Sequence, residues 1–264
     1  MSEVYNKIKL FFENEKIEYF ALLSAEQVSV INPRLMPEWA KSVILFLIPY
    51  YTGENDDRNI SLYAVSRDYH LYIKELESRF FSRRGQYKFF ADTSPIDERQ
   101  AALCARLGIK GQNRLLINEK YGTYIFIGSI ITDVLFDDEE YVKRIPAKEC
   151  EKCGLCKKNC AFLRGERDYC LSELTQKKRV TDDELSVLRS QKIIWGCDDC
   201  QSVCPYNKDI PSTPIEFFHT DRIPLVSKEL IENMSDEDFS KRAYSWRGKN
   251  VLLRNLTKDG VKND

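Results

Sequence analysis

The sequence predicts a mixed chain of the α+β/α/β kind, an N-terminal α/β domain followed by a smaller cysteine-rich domain. Three observations carry this. Helical and strand patterns alternate through residues 1–145. At Pro146 the apolar runs give way to cysteine, lysine and polar residues. Eight of the nine cysteines fall between Cys150 and Cys204. With 264 residues and 43% apolar content, the chain is long enough for one or two packed cores.

Asn6 to Asn14 has the spacing of an amphipathic helix, and Ile17 to Leu23 reads as a short strand. Ser42 to Ile48 is a continuous apolar run ended by Pro49, the length and β-branched content of an interior strand. Tyr63 to Phe81 has helical spacing, with Leu71, Ile73, Leu76 and Phe80 facing a core. Gln86 to Ala91 is a strand. Glu98 to Leu107 reads as a helix closed by Gly108. Leu115–Asn118 and Thr123–Ile131 look like paired strands around the turn at residues 119–122. Tyr121, Tyr124 and Phe126 are expected in the sheet core, and Cys104 as a small buried hydrophobe. After Cys204, three prolines predict an extended strap, then short helices at Lys228–Asn233 and Asp236–Ala243 and a frayed end from Thr257 to Asp264. The expected domains are 1–145, 146–215 and 216–264.

Forty Lys and Arg against forty-one Asp and Glu leave a formal charge of −1, so no global basic field points to nucleic acid. No apolar run reaches the ~18–20 residues of a membrane-spanning helix. The N-terminus lacks the charged-then-apolar order of a secretory signal, and the expected setting is cytoplasmic, with no membrane partner and a monomeric state. There is no GxGxxG on a strand–turn–helix and no P-loop.

In a reducing compartment, clustered cysteines bind metal more often than each other. Cys150-x2-Cys153-x2-Cys156-x3-Cys160 is the run whose first three thiolates wrap one cubane while the fourth points to another. Cys170 and Cys197-x2-Cys200-x3-Cys204-Pro205 complete eight thiolates, the number two [4Fe–4S] clusters need. The simplest allocation puts Cys150, Cys153, Cys156 and Cys204 on one cluster and Cys160, Cys170, Cys197 and Cys200 on the other, in a ferredoxin-like domain. Zinc is the competing reading, since CxxC pairs also build tetrahedral sites. The spacing and the absence of histidine from this segment favour iron–sulfur. Ala161 stands where such runs usually carry proline.

Further stretches, taken in order with the cysteines, show a resemblance. They are residues 40–44 (AKSVI), 67–70 (RDYH), 92–95 (DTSP) with Glu98-Arg99, 107–113 (LGIKGQN), 121–128 (YGTYIFIG) and 131–133 (ITD). Residues 170–172 (CLS), 196–201 (GCDDCQ), 245–249 (SWRGK) and 253–255 (LRN) complete the set. The chain resembles the epoxyqueuosine reductases over nearly its whole length. That resemblance implies a cobalamin bound by the N-terminal domain and reduced through the two clusters. The implied reaction removes the epoxide oxygen of a modified guanosine in tRNA. A reduced flavodoxin- or ferredoxin-type protein would be the electron donor.

The resemblance makes Asp92 the acid that protonates the departing oxygen. Its place after Phe89-Phe90-Ala91 leads us to expect partial burial and a raised pKa. A helix N-cap is the alternative role. Ser61, His70, Arg99, Gly111, Asn113 and Asp133 are the implied cofactor contacts. His70 alone is more often an ordinary core or surface residue, and Arg99 reads equally as a solvated helix charge. Ser61 stands where many relatives have cysteine, Gln112 replaces a common lysine and Ser129 a common glutamate. The chain stops where longer relatives continue into a helical-repeat domain that helps hold tRNA. Phosphate grip is therefore expected from Lys241, Arg242, Arg247, Lys249 and Arg254, unless these form a solvated face. Two other readings fit the same motifs: reduction of a smaller epoxide or organohalide, or electron carriage without catalysis.

Overall fold

A computed structural model of the chain describes residues 2–53, 57–80 and 85–256. It forms two compact units. The first comprises Met1–Tyr51, His70–Gly154 and Pro205–Ile215, and the second Thr52–Tyr69, Leu155–Cys204 and Glu216–Asp264. This grouping cuts across the consecutive domains 1–145, 146–215 and 216–264 expected from composition. Composition registers chemistry along the chain, not which segments share a core.

The first unit is built on one sheet. Its strands are β1 (Phe20–Ser24), β2 (Ser42–Pro49), β3 (Tyr87–Ala91) and β6 (Ile125–Thr132), in the order β1-β2-β6-β3. Every pairing is antiparallel, so of the expected classes this unit is α+β. All eight residues of β2 are buried, as its apolar run predicts. The run has two sides because successive side chains alternate across a strand. Val43, Leu45 and Leu47 pack with Ala101, Ala102 and Leu103 of helix α3 (Glu98–Cys104). On the opposite face, the Phe46 ring lies 5.2 Å from Phe12 of helix α1 (Glu3–Asn14). Helix α2 (Tyr69–Arg79) sends Ile73 and Leu76 inward, and Phe80 just beyond it meets Phe89 of β3. Each such buried side chain contributes roughly 1.5–3 kcal/mol. Gly128 is required here, since an added Cβ would lie 2.3 Å from the Phe46 ring.

Three local expectations change. Leu115–Asn118 does not pair with Thr123–Ile131. Strand β5 (Leu116–Ile117) pairs with β4 (Ile109–Lys110), and β6 is taken by β2 and β3. Helix α3 ends at Cys104, and the left-handed residue beyond it is Arg106, not Gly108. Gly108 serves close approach instead: a Cβ there would stand 2.5 Å from the Ile117 carbonyl oxygen. The run from Tyr63 is a single 3-10 turn at Leu62–Ala64, then irregular chain, then α2. Its last residue, Phe81, lies outside the described residues, as does Thr257–Asp264. Cys104 is half-buried and accepts a hydrogen bond from Arg144 Nε at 3.4 Å. Tyr121 and Tyr124 are buried, while Phe126 is half-buried. The strap after Cys204 docks on the end of β2, where Thr213 gives its N–H to the Tyr51 carbonyl and its hydroxyl to the Pro49 carbonyl.

The second unit is built of short helices: α4 (Leu155–Asn159), α5 (Ala161–Arg164), α6 (Leu171–Gln176), α7 (Asp182–Ser190), α8 (Asp199–Ser202), α9 (Lys228–Asn233), α10 (Asp236–Ser240) and α11 (Lys249–Leu256). Its core gathers Ile60, Trp195, Ile231, Tyr244 and Leu252, all fully buried. Asn255 secures α11 by donating to the carbonyls of Thr175 and Ile194, both at 2.8 Å. Helix α9 spans the residues the sequence predicts; α10 stops three residues short of Ala243. No helix among the described residues is long and apolar enough to cross a membrane.

Candidate active site

Strand β3 ends with Ala91 opposite Gly128, and the chain turns sharply at the next residue. Asp92 has φ +59, and the Thr93 N–H reaches back to the Ala91 carbonyl at 2.6 Å. A hydrogen bond from residue i+2 to residue i around a positive φ defines the rare, strained form of the γ-turn. Aspartate tolerates the left-handed region better than most residues. Such strain persists only where its surroundings hold it, and it concentrates at functional sites. The Asp92 N–H at the apex donates to Glu98 Oε2 at 3.1 Å.

Glu98 opens helix α3, whose N-cap is Asp97, accepting from the Gln100 N–H. The cap role considered for Asp92 thus belongs to Asp97. Ser129 of β6 donates to Glu98 Oε1 at 2.6 Å, and Ser94 lies 3.1 Å from Ser129. The burial expected for Asp92 is found at Glu98 instead, because Asp92 itself is exposed. The Glu98 carboxyl is pushed up to about 7, first by burial. The Asp92 charge adds to the rise, while hydrogen bonds from Ser129, the Asp92 N–H and Ser94 oppose it. Sequence reasoning missed this group. The available signals were its place in the Glu98-Arg99 pair of the resemblance and its position six residues after Asp92, in the first turn of a helix.

The other expected contacts divide. Gly111 is buried, and a Cβ there would lie 2.2 Å from Asn113 Oδ1, so a methyl at this position would displace the Asn113 amide. Asn113 is buried, with Oδ1 accepting from the Leu115 N–H, while its Nδ2 has no hydrogen-bond partner; nor has Gln112 Oε1. His70 is half-buried in the first turn of α2. The Arg99 guanidinium donates to the Arg114 carbonyl at 2.6 Å. Asp133 lies at the other end of the β3–β6 pair, accepting from the Gln86 N–H at 2.7 Å. Five paired positions separate that end from Asp92, about 17–20 Å of strand, so the two aspartates are not brought together.

Ser61 is fully buried in the second unit, where its hydroxyl donates to Asp198 Oδ1 at 2.6 Å. Asp198 also accepts from Arg58 Nη1 at 2.6 Å, the Leu62 N–H at 2.9 Å and Gln201 Nε2 at 3.1 Å. This network ties the 58–62 segment to the stretch between Cys197 and Cys200.

Cys150 and Cys153 belong to the first unit and the remaining six ligand candidates to the second. In the second unit, α4, which carries Cys156, packs against α8, which carries Cys200. Cys160 and Cys170 precede α5 and α6 as their N-cap residues. Burial pushes the Cys200 thiol up to about 12, with Cys160, Cys170 and Cys156 adding to the rise. Burial likewise raises Cys197, helped by Asp199 and Cys170. Gathered thiols that resist ionisation through burial and mutual repulsion fit a polycationic guest, which offsets both costs. Among the described residues, no three His, Cys, Asp or Glu side chains converge tightly enough for one metal ion.

The basic residues near the C-terminus are engaged within the chain. Arg242 is buried and paired with Asp221 at 2.6 Å, Lys241 pairs with Glu237 and Asp238, and Lys249 with Asp236. Arg254 donates to the Lys177 carbonyl. Arg247 stacks 3.8 Å over the ring of exposed Trp246. A cavity of about 370 Å³ in the first unit, floored by Leu103, Leu107, Ile109 and Ile117, includes none of the expected site residues.

A family model described as epoxyqueuosine reductase QueG, DUF1730, matches residues 31–93. The epoxyqueuosine reductase of Cyclobacterium marinum is 32% identical over 237 residues, covering 80% of this chain and 72% of that protein. That of Lactococcus garvieae is 31% identical over 255 residues, covering 86% and 70%. A crystal structure of an epoxyqueuosine reductase with an epoxyqueuosine-modified tRNA-Tyr stem loop aligns with a TM-score of 0.76 at 22% identity. It covers 96% of this chain and 80% of that one, a likeness of fold.

Proposed function

Because this chain belongs to the epoxyqueuosine reductase family, we propose that it removes the epoxide oxygen of epoxyqueuosine in tRNA and leaves the alkene of queuosine. Two electrons and two protons are consumed, and the oxygen departs as water. The observation that carries this reading is the 32% identity to the Cyclobacterium marinum enzyme, sustained over 72% of that protein.

Two [4Fe–4S] clusters and a cobalamin would supply the reducing power, single electrons passing along the clusters to the corrinoid. The eight cysteines from Cys150 to Cys204 would hold the clusters in the two sets their spacing assigns. The partnerless amide atoms of Gln112 and Asn113 suit the polar side chains of a corrinoid. Arg99, Asp133 and Ser61 spend their groups on backbone or on Asp198, which makes them supports of the architecture in this reading. Asp92, exposed at its turn, would relay a proton from solvent to the departing oxygen. A reduced flavodoxin- or ferredoxin-type protein would deliver the electrons. Internal pairing of the basic residues 241–254 favours a second reading, a smaller epoxide or organohalide as substrate.

The test is tRNA from cells lacking the protein. Epoxyqueuosine accumulates and queuosine disappears if the reading holds. Normal queuosine, in cells with no second enzyme for this step, refutes it.

A further inference from the structure

We propose that Glu98 is a positioning residue for Asp92, gripping the apex N–H of the strained γ-turn so that the Asp92 carboxyl is presented to the departing oxygen. This rests on the reading of Asp92 as proton donor. The geometry is specific. A left-handed aspartate at a strand end needs something to hold it, and the Asp92 N–H finds Glu98 Oε2 at 3.1 Å. Glu98 is itself fixed from the far side, by Ser129 at 2.6 Å with Ser94 behind it, so the grip is anchored to the sheet. A carboxylate accepts an N–H far more strongly than a neutral carboxyl does. The grip therefore tightens when Glu98 ionises, and Glu98 does so at about 7.

Among the described residues, the groups facing Glu98 leave this titration with a single charged neighbour. The strands packed against α3 are β2, β5 and β6, and they carry no ionisable side chain within their spans. Arg99, next to Glu98, is turned to the Arg114 carbonyl. Among the described residues, Asp92 is the charge that acts on the Glu98 carboxyl.

The amide of residue 92 reports the grip without any turnover. In nitrogen-15 spectra of the full chain, the Asp92 amide resonance is expected to move with pH around a midpoint near 7. It should still titrate in Asp92→Asn, whose residue 92 amide persists, with a lower midpoint because the Asp92 charge is gone, and should stop in Glu98→Gln. A static amide in the wild type, or an unchanged titration in Glu98→Gln, overturns the proposal. With reconstituted enzyme, Glu98→Ala should lower kcat by about tenfold or more with KM for tRNA unchanged. Glu98→Gln, which keeps an acceptor oxygen, should recover most of that loss and flatten the pH profile near 7. Full kcat in Glu98→Ala alongside a dead Asp92→Asn refutes the role of Glu98 alone. Full kcat in Asp92→Asn removes Asp92 as the donor and this inference with it.

Discussion

Replacing Glu98 by glutamine should make the chain's stability less dependent on pH, by an amount the structure sets. The Glu98 carboxyl titrates at about 7 in the fold, against an ordinary 4.5. Between those two values the folded chain keeps a proton that the unfolded chain has released. Stability therefore falls as pH rises through this window and levels off above it. The full difference is worth up to about 3 kcal/mol. Glutamine keeps the shape and cannot ionise, so this component vanishes. Subtracting wild type from Glu98→Gln cancels the titrating groups that are not coupled to Glu98. The difference in Tm should grow by roughly 6–12 °C between pH 4.5 and 8, taking 2–4 °C per kcal/mol for a chain of this size. Calorimetry of both proteins across that range, under anaerobic conditions, is the assay. Parallel Tm curves would show that Glu98 is solvated and that burial does not govern it.

Arg58→Ala strips the countercharge from buried Asp198 and should destabilise the second unit by about 3–5 kcal/mol. Ser61→Ala should cost about 1.5–3 kcal/mol; additive effects of the two in a double mutant would deny a shared network. At the turn, Asp92→Gly should be more stable than Asp92→Ala by about 1 kcal/mol, because only glycine takes a left-handed conformation without cost. Denaturant unfolding giving the opposite order would contradict the γ-turn. Gly128→Ala forces a methyl against the Phe46 ring and should cost about 1–3 kcal/mol. Adding Phe46→Leu should relieve part of that loss, and a double mutant no better than the sum would place the strain elsewhere.

What the sequence makes legible is what depends on local pattern. The eight apolar residues of β2 announce an interior strand because burial on both faces needs no alternation. The cysteine spacing is a local pattern of the same kind, and the two cluster sets proposed here rest on those short intervals. Partnership is not written that way. Leu116 and Ile117 have ordinary strand character, and their pairing with Ile109 and Lys110 includes a close passage of Gly108 that no local pattern announces. Asp92 and Glu98 show the limit within the candidate site. Apolar neighbours in sequence suggest burial of Asp92, yet the strand ends at Ala91 and the turn carries Asp92 outward. The helix meanwhile folds Glu98 against Ser129, which is 31 positions away. Arg242 reads as a free cation in sequence, but only the fold brings it to Asp221.

The strap that pins Thr213 to the end of β2 has a consequence during synthesis. All four strands of the sheet have been translated by residue 132, but Thr213 follows about 80 residues later. At ~5–20 residues per second, that is a delay of roughly 4–16 s. Through that interval the carbonyls of Pro49 and Tyr51 go without the hydrogen bonds that Thr213 gives them. A ribosome stalled before residue 213 would hold a nascent sheet with an unclasped end.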